Sequence, residues 1–169
     1  RHIVGVQLRN LATVGGSIYS RFGFSDVLTM FLALNASVEL YKGGVVPLAE
    51  YAQRPYDRDI LVGVLVPKEN ARVVYQSVRN SQTDFPVLTC AAAKLADGSI
   101  RAAIGARPGK AVLYTAAPEA GETAEEFAAR FAAEVKADIK TESNLRGGAE
   151  YRRHLAGVLT KRAVCRLEG

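Results

Sequence analysis

The 169 residues are 49% hydrophobic and 23% charged, an ordinary globular composition that suffices for one domain or two small ones. The net charge of +5 does not by itself indicate nucleic-acid binding, because no zinc finger or RNA-binding aromatic motif accompanies the basic residues. No apolar run reaches the roughly 18 residues that a membrane span needs. Cys90 and Cys165 lie far apart in apolar sequence, which favours two buried thiols and a cytoplasmic location over a disulfide or a zinc site.

The first part of the chain, residues 1–57, predicts a Gly-rich turn at residues 12–17, then a helix and a strand. The helix is expected from Ser25 to about Leu34, with Ser25 or Asp26 as its N-cap. Residues 38–41 are predicted as a short strand, followed by a turn at residues 42–44. The helix spacing places four apolar residues on the buried face: Val27, Met30, Phe31 and Leu34.

The second part, residues 58–169, predicts an antiparallel sheet followed by two helices. Strands are expected at residues 60–66, 73–78, 85–95 and 99–104, the last two joined by an Asp-Gly hairpin turn. Thr123 opens a capping box before an apolar stripe, and a last helix is expected from about residue 148 to 166. The stripe consists of Phe127, Phe131, Val135 and Ile139, and the inward residues of the last helix are Tyr151, Leu155, Val158 and Leu159. Six basic residues between positions 146 and 166 are expected to form a solvated face or a docking surface for an acidic partner, namely Arg146, Arg152, Arg153, Lys161, Arg162 and Arg166.

The turn at residues 12–17 carries the strongest chemical signal. Gly15 and Gly16 allow a positive φ and let a phosphate approach the backbone, and Thr13 and Ser17 offer hydroxyl donors. Asp26 follows at a helix start, where a carboxylate accepts hydrogen bonds from sugar hydroxyls. The same residues also fit an ordinary turn followed by an ordinary helix cap.

The segment from Gln7 to Ser17, followed by Ser25-Asp26, resembles the second flavin motif of the molybdenum hydroxylases, which include xanthine dehydrogenase and carbon monoxide dehydrogenase. Ser17 stands where relatives commonly have Asn, and it keeps both a donor and an acceptor. Three further segments resemble the same family in the same order: residues 59–67, 75–86 and 147–156. The chain is therefore similar to the medium, flavin-binding subunit of that family.

This resemblance implies an α+β fold: the second half of a PCMH-type FAD-binding domain, then a small antiparallel sheet with helices like the C-terminal domain of the CO dehydrogenase flavoprotein. It implies FAD as the cofactor, with Asp26 at a sugar or ribityl hydroxyl, Leu61 near the flavin or adenine, and Ile3 beside the isoalloxazine ring. The residues implied at the pyrophosphate are Thr13, Val14, Gly15, Gly16 and Ser17. No side chain is expected to act as a catalytic group or a metal ligand.

The resemblance also implies partners and an activity. A molybdenum-cofactor subunit and a subunit with 2Fe-2S clusters would deliver electrons, which FAD would pass to NAD or another acceptor. Gln76 stands where relatives often have a flavin-adjacent Lys, and the family's first Gly-rich motif would precede Arg1, so we expect an upstream part of the protein beyond this chain. The alternative is a scaffold module of such a complex that retains no flavin.

Overall fold

The computed structural model describes residues 3–68 and 71–168. Its strands form two antiparallel sheets, and helices pack against both of them. The helices are α1 (Val6–Leu11), α2 (Val14–Tyr19), α3 (Asp26–Ala33), α4 (Leu48–Tyr51), α5 (Ala124–Asp138) and α6 (Ala149–Glu168). The strands are β1 (Ser37–Leu40), β2 (Gly44–Pro47), β3 (Leu61–Leu65), β4 (Arg72–Val78), β5 (Leu88–Lys94), β6 (Ile100–Gly105) and β7 (Val112–Ala116). The α+β prediction is confirmed.

The first sheet has the strand order β2-β1-β3. Val38 at its centre lies opposite Val46 on one side and Val64 on the other. The prediction that placed residues 60–66 in the second sheet is wrong, because β3 pairs with β1. Apolar alternation identifies a strand but not its partner, which here is selected by the buried side chains that β1 offers. The change from one sheet to the other falls between Leu65 and Arg72, and the domain boundary near residue 57 stays a prediction.

The second sheet is a meander with the order β4-β5-β6-β7. The predicted Asp-Gly hairpin joins β5 to β6, with Gly98 at a φ of 83°. Helices α5 and α6 cover one face of this sheet and bury the whole predicted stripe from Phe127 to Ile139. The capping box at Thr123 is also confirmed, with Thr123 and Glu126 bonded to each other's backbone amides.

Two predictions about α6 are wrong. Tyr151 is 49% exposed instead of inward, and Arg152, expected on the solvated face, is completely buried. The Arg152 guanidinium donates to the carbonyls of Val87, Glu142 and Gly147 and to Oδ1 of Asn144. These neutral oxygens satisfy the buried charge, so Arg152 holds the loop before α6 against the start of β5.

Helix α3 packs on the opposite face of the second sheet, next to three small residues: Ala91, Ala93 and Ala103. Its fully buried side is formed by Leu28 and Leu32 with Thr29 and Ala33, while the predicted face from Val27 to Leu34 is only partly buried. The prediction missed this because α3 is covered by two sheets, so that both stripes are apolar and spacing alone cannot rank them.

No helix in the described ranges is long and apolar enough to cross a bilayer. Both cysteines are free thiols, with Cys90 buried as expected and Cys165 exposed, against expectation. Burial raises the pKa of Cys90 to about 12, so its thiol stays protonated and unreactive at neutral pH.

Candidate cofactor-binding site

The glycine pair at residues 15 and 16 lies in the first turn of helix α2. Thr13 is the N-cap, and its Oγ1 accepts a hydrogen bond of 3.0 Å from the Gly16 amide. Neither glycine has a positive φ. The predicted left-handed turn is therefore wrong, because the Thr13 cap lets the chain enter a helix directly at Val14.

The missing side chains of the two glycines leave space beside the first turn of α2. A Cβ added to Gly15 would meet no atom within 4 Å, whereas one on Gly16 would lie 3.0 Å from Oγ1 of Thr13. The amides of Val14 and Gly15, in the first turn of α2, have no intrahelical acceptor. Within the described residues these two N–H groups have no other partner and lie beside open space, which is an arrangement that suits a phosphate group.

A cleft of about 500 Å³ opens beside this turn. It brings together four of the predicted site residues, namely Thr13, Gly16, Ser17 and Asp26. Its other walls are apolar and include Ile3, the residue that the resemblance placed beside the flavin ring, with Leu8, Leu11, Phe22, Phe24 and Phe85. Val14 is half exposed and does not line this cleft, so its backbone amide is the group it can offer.

Asp26 is held as a buried carboxylate at the start of α3. Ser25 is the cap, accepting from the Leu28 amide at 3.2 Å, so the alternative that Asp26 is only a cap is wrong. Oδ1 of Asp26 accepts a hydrogen bond from the Tyr75 hydroxyl and forms an ion pair with Arg79. Burial, together with the charge of Asp26, raises the pKa of Tyr75, so that this hydroxyl remains a donor.

Leu61 lies on the other side of the glycine pair. It lines a second, shallower cleft of about 470 Å³ with Gly15, Gly16, Tyr19 and Asp59. Asp59 accepts hydrogen bonds from the Lys42 and Gly43 amides at 2.9 and 2.8 Å, and the Lys42 contact is the main cause of its lowered pKa. The first turn of α2 therefore separates the two groups of predicted residues and contacts both clefts.

Gln76 does not lie beside the cofactor cleft. Its neighbours Val74 and Val78 pack under α5 and α6, whereas Tyr75 packs against the core around α3. Side chains alternate along a strand, so Gln76 shares the face of Val74 and lies opposite Cys90. Gln76 is therefore not among the residues that line the cleft, and Tyr75 is the β4 side chain that contacts the cleft's carboxylate.

Sequence reasoning missed the aromatic wall and the two residues that hold Asp26. Phe22 and Phe24 stack with ring centroids 5.1 Å apart, and Phe85 meets Phe24 edge-on at 4.8 Å. The only sequence signal was the recurrence of Phe at every second position before α3. Tyr75 on β4 and Arg79 just after that strand follow Asp26 by 49 and 53 residues, and no local pattern connects them to it.

The residues fit a flavin dinucleotide. Unpaired amides and the Thr13 hydroxyl suit a pyrophosphate, a carboxylate suits sugar hydroxyls, and the apolar wall suits a planar ring. Open space at Gly15 leaves room for a group to approach the backbone.

Comparison with known proteins gives the same assignment. The family model of the FAD binding domain in molybdopterin dehydrogenase matches residues 1–69, and that of the CO dehydrogenase flavoprotein C-terminal domain matches residues 73–167. The second match alone covers more than half of the chain. The chain therefore belongs to the FAD-binding flavoprotein family of the molybdopterin dehydrogenases.

Individual relatives are more distant. The uncharacterized protein YgfM of Escherichia coli K12 is 27% identical over 152 residues, which are 90% of this chain and 57% of that protein. Carbon monoxide dehydrogenase from Hydrogenophaga pseudoflava has a TM-score of 0.82 at 23% identity, and quinoline 2-oxidoreductase from Pseudomonas putida 86 one of 0.81 at 20%. Each of these two structures covers 99% of this chain, which in turn spans 64% of the matched structure. The likeness to them is one of fold.

Proposed function

We propose that this chain is the flavin-binding part of an electron-transfer subunit in a molybdenum-containing hydroxylase. One observation carries the proposal: the first turn of α2 and Asp26, two features separated in sequence, line one cleft. FAD supplies the redox chemistry when it is bound, and the protein holds and orients it. Partner subunits with a molybdenum cofactor and 2Fe-2S clusters would supply the electrons, and NAD or another acceptor would remove them.

Each predicted residue has a defined task in this proposal. The amides of Val14 and Gly15 donate to the pyrophosphate, and the Thr13 hydroxyl, whose oxygen already accepts from Gly16, directs its proton to the same group. Asp26 accepts from a sugar or ribityl hydroxyl with Oδ2, because both contacts from Tyr75 and Arg79 use Oδ1. Leu61 and Ile3 provide apolar contact on either side of the glycine pair.

A flavin titration tests the proposal. FAD is added to the purified protein, and flavin fluorescence and absorbance report binding, with Thr13→Val as the variant. This change keeps the shape of the side chain but removes both the cap and the donated proton, so we expect weaker FAD binding and a loss of about 1 kcal/mol of stability. Protein that binds no flavin would favour the alternative of a scaffold module.

The location of the protein stays a separate prediction. Two free thiols support the proposed cytoplasmic location, since disulfides are rare there.

A further inference from the structure

The aromatic wall of the cofactor cleft has a second side. Phe22, Phe24 and Phe85 line not only that cleft but also a neighbouring groove of about 570 Å³. The far walls of the groove are formed by Ala106, by residues 108–110, and by Asn144 and Arg146, while Arg107 is a chain neighbour of these residues and does not itself line the groove. A single layer of aromatic side chains thus separates the two, and the volume suits a small organic ligand.

The groove offers a stacking surface. Phe22 is 50% exposed and Phe24 40%, although Phe22 stacks on Phe24 and Phe85 supports the Phe24 ring edge-on. A large exposed aromatic pair with fixed geometry is unusual on a protein surface, because each ring loses hydrophobic stabilisation there. A planar ring placed on Phe22 would continue the stack.

The charge of the groove is positive. Lys110 donates its ammonium protons to the carbonyls of Gln53 and Arg54, which are neutral, and Arg107 donates to those of Lys110 and Lys140. In the part of the chain that the structure describes, neither cation has a carboxylate at ion-pair distance. Arg146 is different, because it is paired with Asp84. Among the described residues no Asp or Glu lines the groove, so an anionic ligand meets the charge of Lys110.

The groove is also preformed. The Ala106 amide donates to the Gly23 carbonyl at 2.6 Å, and a Cβ on Gly23 would collide with the Gly109 carbonyl. The segment that carries the two phenylalanines is therefore fixed against the segment that carries Lys110. A ligand that enters between them therefore binds with little free-energy cost for ordering the site.

We propose that this groove binds a planar aromatic ligand that carries phosphate, of the nucleotide class, with its ring on Phe22 and its phosphate at Lys110. The proposal rests on the proposed function only in that it places this ligand across the aromatic wall from the cofactor. It assigns a site distinct from the cleft formed by α2 and Asp26, because Lys110 lines the groove but not that cleft.

Calorimetric titration of ADP into protein saturated with FAD tests this, with flavin fluorescence followed at the same time. We expect saturable binding without release of FAD. Phe22→Leu, which keeps an apolar side chain but removes the stack, should weaken ADP binding about tenfold. Lys110→Gln should weaken it about fivefold, whereas Lys161→Gln, which removes the same charge from an exposed site on α6, should leave it unchanged.

Three results would overturn the proposal: no ADP binding, release of FAD by ADP, or equal affinities in Lys110→Gln and Lys161→Gln. The first would leave the groove as a surface for a protein partner, and the second would place ADP in the cofactor cleft. If the protein binds no FAD, the titration without FAD still decides the matter. Lys110→Gln then reports on the groove through ADP binding, whereas the missing FAD binding reports on the cleft beside α2, so the two proposals fail separately.

Discussion

At the scale of single residues, Asp26 combines a structural role with the binding role that we propose for it. Its carboxylate compensates the buried guanidinium of Arg79, whose side chain is only 8% exposed. Removing one partner of such a pair leaves an uncompensated charge in the interior. A cap, by contrast, contributes only through the orphan amides of the first helical turn.

We predict that Asp26→Asn lowers the free energy of unfolding by about 3 kcal/mol even without flavin, because Arg79 loses its counter-charge. Ser25→Ala, which removes the cap next to it, should cost about 1 kcal/mol. Urea unfolding followed by circular dichroism measures both. Equal costs for the two variants would contradict the role given to the ion pair.

At Gly15, one substitution is expected to change stability and FAD binding in opposite directions. We predict that Gly15→Ala raises the stability of flavin-free protein by about 0.5–1 kcal/mol, since the helical backbone there accepts a side chain and the space above it is open. The same methyl group occupies the space assigned to the pyrophosphate, so FAD should bind more weakly. FAD titration and thermal unfolding of one sample measure the two effects.

Gly63→Ala is the matched control, because Gly63 lies on β3, lines neither cleft, and an added Cβ would meet only Oε2 of Glu39 at 3.7 Å. Its FAD affinity should equal that of the wild type. Unchanged FAD affinity in Gly15→Ala would remove the pyrophosphate from this turn.

The elements differ in how far the sequence determines them. The capping box and stripe of α5 are local, and they were predicted correctly. Strand β3 was predicted as a strand in the wrong sheet, and β2 and β7 were missed because they are short and half exposed and lack regular alternation. The cleft was predicted in part: Thr13, Gly16, Ser17 and Asp26 meet there, but the wall formed by Phe22, Phe24 and Phe85 depends on packing between distant segments.

Helix α5 provides a test by pH. Arg130 donates to Glu122 at 2.9 Å, and this contact lowers the pKa of Glu122 to about 2 from a usual 4.5. Because the folded-state pKa is the lower one, the ionised pair stabilises the fold above about pH 4.5, and this stabilisation is lost as the pH falls towards 2. We predict that Glu122→Gln has a shallower decline of Tm between these pH values than the wild type. An equal decline of Tm with falling pH in Glu122→Gln and in the wild type would contradict the role of the pair.

Helix α6 depends on Arg152 as a clamp. We predict that Arg152→Lys destabilises the protein by about 2–4 kcal/mol, because one ammonium group cannot reach four oxygens arranged around a planar guanidinium. Arg153→Lys is the control, since that side chain is 43% exposed and bonds only Glu150 among the described residues. Chemical unfolding compares the two, and similar costs would show that the clamp does not hold the loop.

At the scale of the whole molecule, the second sheet is covered on both faces. The alanines of β5 and β6 allow α3 to approach closely, and Oγ1 of Thr29 lies 3.2 Å from Oγ1 of Thr89 in this contact. Unfolding of α3 and the first sheet alone would expose this alanine-rich face. The packing therefore couples the two sheets, because α3, the first sheet and the alanines of the second sheet share one buried cluster.

We predict that Gly105→Ala destabilises both sheets together, by about 1–3 kcal/mol. A Cβ there would lie 2.5 Å from the hydroxyls of both Thr29 and Thr89 and 2.7 Å from the Gly23 carbonyl, so α3 must move away from β6. Hydrogen exchange measures the opening of each sheet. Faster exchange confined to one sheet would show that the two parts unfold independently.

The assignment of the cofactor cleft is tested most directly by amide NMR shifts of the ¹⁵N-labelled protein during addition of FAD, which detects weak as well as tight binding. We predict the largest shifts at the Val14 and Gly15 amides, with smaller ones at Thr13, Ser17 and Asp26, because the pyrophosphate would accept directly from the first two. Shifts confined to residues around Lys110 and Arg146, or no shifts in the first turn of α2, would contradict the account.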